Sequence, residues 1–109
     1  MKISRGDIYL VSRPPKADPR RRRAVVVVSR QTLCESNAAN VVCAPINTQG
    51  YGRSTEVEVG ESEGLKHDSV INCDQLVLIP KSALTNYLGS IPLKSRAPLD
   101  AALRIALDV

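Results

Sequence analysis

Arg23 closes a run of four arginines, Arg20 to Arg23, and leads through Ala24 into four valines, Val25 to Val28. Asn47 and Thr48 follow a second apolar stretch, and Asn72 and Asp74 interrupt a third. Guanidinium, hydroxyl and amide groups near strand ends suit phosphodiester chemistry that runs without a metal. Cutting RNA through its own 2′-OH needs a base for the 2′ proton, an acid for the departing 5′ oxygen, and a cation for the charge that builds on phosphorus. Arginine supplies the cation and can do so bidentately. It is a poor base at its usual pKa, which is a difficulty for any mechanism built on arginine alone.

Other chemistries find little footing. The chain has no phosphate-loop motif, no Gly-x-Ser-x-Gly, no zinc motif and no dinucleotide fingerprint. Cys34, Cys43 and Cys73 are scattered, and His67 is the single histidine, so no four-ligand zinc cluster is on offer and no metal or cofactor is expected. Reduced thiols in a cytosolic protein are the simplest reading. Glu56 and Glu58 are about 7 Å apart along a strand, and a solvated strand face explains them. His67 reads as a solvated loop residue.

The chain has 109 residues, which suits one domain spanning 1–109. Hydrophobic residues make up 43% but aromatics only 3%, with no Trp and no Phe, so Val, Ile, Leu and Ala must build the core. Platforms for stacking nucleobases are limited to Tyr9, Tyr51 and Tyr87. The formal charge is +4, and removing Arg20–Arg23 would leave it at zero. Such a localised basic patch favours an anionic partner such as nucleic acid, although a charge run can also be just a soluble loop. The N-terminus lacks an export signal's apolar core, and no run approaches a membrane span, so a cytoplasmic location without membrane contact is expected.

The elements that must position these groups are mostly strands. Ile8–Val11 opens, and Ser12–Arg22, with Pro14, Pro15 and Pro19, reads as an exposed loop. Ala24–Val28 reads as a central strand and Asn40–Ile46 as another. Residues 47–54 form a glycine-bearing loop, and Thr55, Val57 and Val59 alternate inward. Ser69–Ile79 reads as one long strand, with Asn72 and Asp74 on one face and Gln75 on the other, apolar one. A buried Gln75 amide would need partners, so its reading is structural. Lys81–Leu88 is a candidate short helix, and Pro98–Leu107 a longer one with Leu99, Ala102, Leu103, Ala106 and Leu107 on a stripe. Short strands closed by a helix suggest a small barrel-like β domain.

RGDIYLV (5–11), RAVVVVS (23–29), APINTQ (44–49), VEV (57–59) and GLKHDSVINCDQL (64–76) resemble, in order and spacing, the MazF/PemK family of toxins. The resemblance implies a mainly β, SH3-like barrel with a C-terminal helix, assembled as a homodimer. It implies the toxin of a type II toxin–antitoxin pair, a metal-independent endoribonuclease that cuts single-stranded mRNA, leaving 2′,3′-cyclic phosphate and 5′-OH ends. A cognate antitoxin with an acidic C-terminal segment is the implied protein partner. Arg23 falls at the family's catalytic arginine, and in the family's Pro-x-Thr-Thr/Ser stretch Asn47 replaces the first hydroxyl while Thr48 occupies the second, so Arg23 and Thr48 are the implied catalytic residues. Arg20, Arg21, Arg22, Asn47, Gln49, Asn72 and Asp74 are the implied RNA contacts, with Asp74 a candidate to orient Arg23. The chain departs from the family in the loop before Arg23, which lacks Gly-x-Glu-Gln and any histidine. Two other readings are a non-enzymatic toxin of the same fold, like the gyrase poison CcdB, and an inactive RNA-binding module. The first relies on a C-terminal Trp that this chain lacks.

Overall fold

The computed structural model describes residues 2–12 and 22–109. Within them lie strands β1 (Asp7–Ser12), β2 (Arg22–Val27), β3 (Asn40–Asn47), β4 (Glu56–Val59), β5 (Ser69–Asn72), β6 (Val77–Pro80) and β7 (Asn86–Ser90). Helix α1 (Gln31–Glu35) links β2 to β3, and α2 (Arg96–Leu107) ends the chain.

The strands pair antiparallel in the order β4-β5-β3-β2-β1-β7, with β6 also on β3. β3 is the strand that bends the sheet. Its first half, Asn40–Cys43, pairs with β6, and its last residues, Ile46 and Asn47, pair with β5. One strand serving two neighbours along its length curls the sheet into a half-barrel.

β2 separates the core into two clusters by strict alternation. Val26 and Val28 pack with Ile8, Ala44, Ile46 and Ile71 beneath Leu99 and Ala102 of α2. Val25 and Val27 pack on the other face with Tyr9, Val11, Cys43 and Leu84. The valine run is therefore buried on both faces, as its composition predicts.

Two expected elements take other forms. The stretch expected as one strand, Ser69–Ile79, is broken by a 3₁₀ turn at Cys73–Gln75, which lets the chain leave one end of β3 and rejoin the other as β6. Asn72 caps that turn, its Oδ1 accepting from the Asp74 N–H at 2.9 Å. Gln75 is thereby turned out to the surface instead of inward. The expected helix at Lys81–Leu88 is only a 3₁₀ turn at Lys81–Ala83, and Asn86–Ser90 becomes a strand on the open edge of β1. The edge-strand backbone of β1 gains partners that a helix could not give it.

α2 begins two residues before the expected Pro98, which occupies the first turn as expected. Leu99 and Ala102 are buried, but Leu107, expected on the same stripe, is 56% exposed. Asp100 pairs with Arg5 at 2.6 Å. Arg5 also donates to the Val28 carbonyl at 2.5 Å, and Arg96 donates to the Arg5 carbonyl at 3.0 Å, so the two arginines tie α2 to the start of β1.

A turn at Glu61–Glu63 ends at Gly64, whose φ is 90°. A Cβ on Gly64 would run into the Leu88 carbonyl, and one on Gly89 would meet the Glu63 carbonyl at 2.5 Å. The turn thus rests main chain to main chain on β7, a contact that only glycine permits.

Candidate active site

Pairing between β2 and β3 runs from Val27↔Cys43 to Val25↔Pro45 and stops there. β2 continues to Arg22 in company with β1, while β3 continues to Asn47 in company with β5. Where the two strands cease to bond, a groove of about 570 Å³ opens. One side carries Arg22, Arg23 and Ala24 from β2, the other Ile46, Asn47, Thr48 and Gln49 from the end of β3. Tyr51 and Arg53 enter from the loop before β4, Leu65, Lys66 and His67 from the turn before β5, and Asn72 and Gln75 from the turn after it.

The groove's charge is one-sided. Arg22, Arg23, Arg53 and Lys66 line it, and among the described residues no Asp or Glu does. Guanidinium, ammonium, hydroxyl and amide donors converge on a concave surface, the donor set for a phosphate oxygen. A larger neighbouring hollow of about 770 Å³ has the opposite character, with Glu56, Glu58, Glu61, Glu63 and Asp68 among its lining. That sign is wrong for a polyanion, so volume does not decide between the two.

β2 sets the arginines by alternation. Arg23 lies opposite Val11 and Arg22 opposite Ser12 across the β1 ladder. Arg23 is half-buried at the end of the face that carries Val25 and Val27, whereas Arg22 is exposed, on the face of Ala24 and Val26. Burial restricts where the Arg23 guanidinium can go, and restriction is what positions a catalytic charge.

Of the residues singled out in the sequence, Arg22, Arg23, Asn47, Thr48, Gln49 and Asn72 share this groove. Arg20 and Arg21 lie outside the described residues. Asp74 is not among the groove's lining residues. Its Oδ2 accepts from the Thr55 hydroxyl at 2.7 Å, so that carboxylate is engaged with β4's entry rather than with Arg23. His67, read from sequence as a solvated loop residue, is exposed but is one of the groove's lining side chains. Lys66, Arg53 and Gln75 join it without having been singled out for the site. No periodic pattern marks them, because each sits in a turn whose direction only the fold settles.

The loop carrying Tyr51 and Arg53 is held from below. Glu56 Oε1 accepts from the Tyr51 N–H at 2.8 Å and from the Arg53 N–H at 3.2 Å. Those bonds, the Tyr51 one foremost, hold the Glu56 carboxyl below its ordinary range. The Arg53 guanidinium lies over the Tyr51 ring, 5.1 Å from its centroid.

All three cysteines are free and buried. Burial pushes the Cys43 thiol up to about 12 and the Cys73 thiol to about 11, and raises Cys34 as well. A thiol so disfavoured as thiolate is no nucleophile. Among the described residues, no group of three His, Cys, Asp or Glu side chains is placed to hold a metal ion. Likewise, no described helix is long and apolar enough to cross a membrane.

Residues 4–107 match the family described as PemK-like, MazF-like toxin of type II toxin–antitoxin system. A Mycobacterium tuberculosis protein named endoribonuclease MazF6 is 30% identical over the full length of both chains. The solved Mycobacterium tuberculosis toxin MazF-mt6 superposes with a TM-score of 0.81 at 28% identity, covering 94% of this chain and 97% of that one. A mycobacterial endoribonuclease solved in complex with its cognate antitoxin reaches a TM-score of 0.84 at 23% identity, covering 98% and 96%. The last likeness speaks for the fold alone.

Proposed function

Because the chain belongs to the PemK-like, MazF-like toxins of type II toxin–antitoxin systems, we propose that it is an endoribonuclease cutting single-stranded RNA in the groove between β2 and β3. One observation carries this reading. Among the described residues the groove holds Arg22, Arg23, Arg53 and Lys66 without a carboxylate, beside Asn47, Thr48 and Gln49. A polyanion is drawn to it, and the donors at its floor suit a phosphate.

The reaction follows from those groups. The substrate's own 2′ oxygen attacks phosphorus, a 2′-O–P bond forms, and the P–O5′ bond breaks. The 2′ proton leaves to a base, and the 5′ oxygen takes a proton from an acid, so the ends are a 2′,3′-cyclic phosphate and a 5′-OH. Arg23, fixed at the strand end, holds the charge that develops on the phosphoryl oxygens. Asn47 and Thr48 donate to the same phosphate or to its neighbours. Imidazole is the side chain that exchanges protons near neutrality, and His67 is the chain's single histidine and lines the groove. It is our candidate for the proton transfers. Arg22, Arg20, Arg21, Gln49 and Asn72 serve as RNA contacts, with no metal required.

A homodimer fits the apolar surface between α2 and β6, where Leu33, Leu76, Leu78, Leu103 and Leu107 line a second hollow. Leu78 is 62% exposed and Leu107 56%, which is costly to leave in water. An antitoxin with an acidic segment complements the basic groove and would block it. Messenger RNA as substrate places the activity in the cytoplasm.

The test is incubation of purified protein with long mixed-sequence RNA in EDTA, followed by mapping of the cut sites and their end chemistry. Cuts at a short recurring sequence with 2′,3′-cyclic phosphate ends support the proposal. RNA left intact at enzyme excess across several sequence pools sinks it.

A further inference from the structure

With no Phe and no Trp, three tyrosines are the chain's large aromatic side chains. Tyr9 is only 2% exposed. Tyr87 stands on β7 in an edge-to-face contact with Tyr9, ring centroids 5.6 Å apart, and is not among the groove's lining residues. Tyr51 alone is both in the groove and open, with 66% of its surface exposed.

An exposed tyrosine on a glycine-flanked loop would ordinarily be free to move, but this loop is pinned. Gly52 takes a φ of 72°, a turn that brings the N–H groups of Tyr51 and Arg53 to one carboxylate oxygen of Glu56. Glu56 begins β4, so the ring is referred to the sheet through two hydrogen bonds. Arg53 lies over the ring and covers one face. The other face is left as an apolar plate beside a row of cations, where a desolvated flat ring with a neighbouring phosphate finds both its needs met.

We propose that Tyr51, backed by Arg53, is a stacking platform for one unpaired nucleobase of the RNA, and so a specificity-determining residue of the groove. The inference rests on the endoribonuclease reading but makes a separate claim. Arg23, Asn47 and Thr48 act on the phosphate, which is alike in every nucleotide, while Tyr51 acts on the base beside it. Stacking alone discriminates weakly among bases, but it fixes the base plane so that nearby amides, such as Gln49, can read its edge.

The probe is a set of 2′-O-methyl decamers of mixed sequence with 2-aminopurine at the centre, which bind without being cut. Wild type is expected to quench the 2-aminopurine on binding. Tyr51→Phe should keep the quench, whereas Tyr51→Ala should lose it and bind roughly 5- to 150-fold more weakly. Because its phosphate contacts remain, Tyr51→Ala should keep the wild-type slope of affinity against salt, whereas Arg22→Ala should flatten it by about 0.7 for the lost contact. Thermal melting of each variant checks that it is folded. Tyr51→Ala that binds, quenches and selects cut sites like wild type overturns the proposal, as does a variant that loses only antitoxin affinity. Wild type that binds and quenches but never cuts cleavable RNA leaves the stacking platform standing and removes the nuclease. Wild type that binds no RNA removes both.

Discussion

Arg23 faces Val11 across the β1–β2 ladder, and Arg22 faces Ser12. Val11 is buried, so the register holds Arg23 against the packed core and leaves its neighbour at the surface. Neighbouring arginines of one groove should therefore behave differently. Arg23→Ala is expected to lower the cleavage rate about 100-fold or more while changing RNA affinity only a few-fold, since its charge acts on the transition state. Arg22→Ala should weaken binding in a salt-dependent way and spare the rate of bound substrate. Single-turnover kinetics with saturating enzyme separate the two, and equal loss of rate in both variants would count against the assignment.

Asp74 is the site candidate that the structure sets to other work. Its bond from Thr55 joins the turn after β5 to the start of β4. Asp74→Ala should lower stability by about 1 kcal/mol, a few degrees in Tm, and leave the cleavage rate within a few-fold of wild type. Thr55→Val should give the same loss, and the double variant little more. A large loss of rate in a folded Asp74→Ala protein would restore it to the site.

His67 predicts a loss of rate without a matching loss of binding. His67→Ala is expected to lower the single-turnover cleavage rate at least about tenfold at saturating enzyme and to leave RNA affinity within a few-fold. His67→Gln keeps a hydrogen-bonding side chain but cannot exchange a proton, and should be as slow. A rate within a few-fold of wild type in either folded variant would assign the proton transfers elsewhere.

The carboxylate of Glu56 gives the loop at 51–53 its own acid sensitivity. A carboxyl held below its ordinary range stabilises the folded form at pH above that range, and the contribution disappears as pH falls through the depressed value. Protection of the Tyr51 and Arg53 amides from exchange, relative to an unstructured chain at the same pH, is therefore expected to hold at neutral pH and to fall only below the ordinary carboxylate range. Glu56→Ala should lose that protection at neutral pH and broaden the choice of cut sites. Full protection at both positions in that variant would show that the loop holds itself.

Much of this was legible in the residues. The valine run, with apolar residues at every position, could only be a strand buried on both faces, and Thr55, Val57 and Val59 alternate inward as read. Arg23, Asn47 and Thr48 were singled out through the family resemblance, and the structure brings the three to one groove. The stretch at 69–79 misled because its apolar pattern continues through Cys73–Gln75 although the chain turns there to reach β3 a second time. Nothing local announces that return, since its cause is the length of β3, thirty residues earlier in the chain. Lys81–Leu88 misled for a similar reason: the open edge of β1, far away in sequence, outweighs a weak helical pattern. His67 and Arg53 are in turns, where side-chain direction follows from tertiary placement.

Gly64 and Gly89 touch through bare main chain, one on the turn that leads to Lys66 and His67, the other on β7. β7 is bonded to β1, and β1 to β2, which carries Arg23. The turn that brings Lys66 and His67 to the groove and the strand that brings Arg23 are thus joined by an unbroken series of backbone contacts. The groove's calibre is a dimension of the scaffold, while its lining is free to vary. A chain built this way can exchange the side chains that line the groove without changing its width.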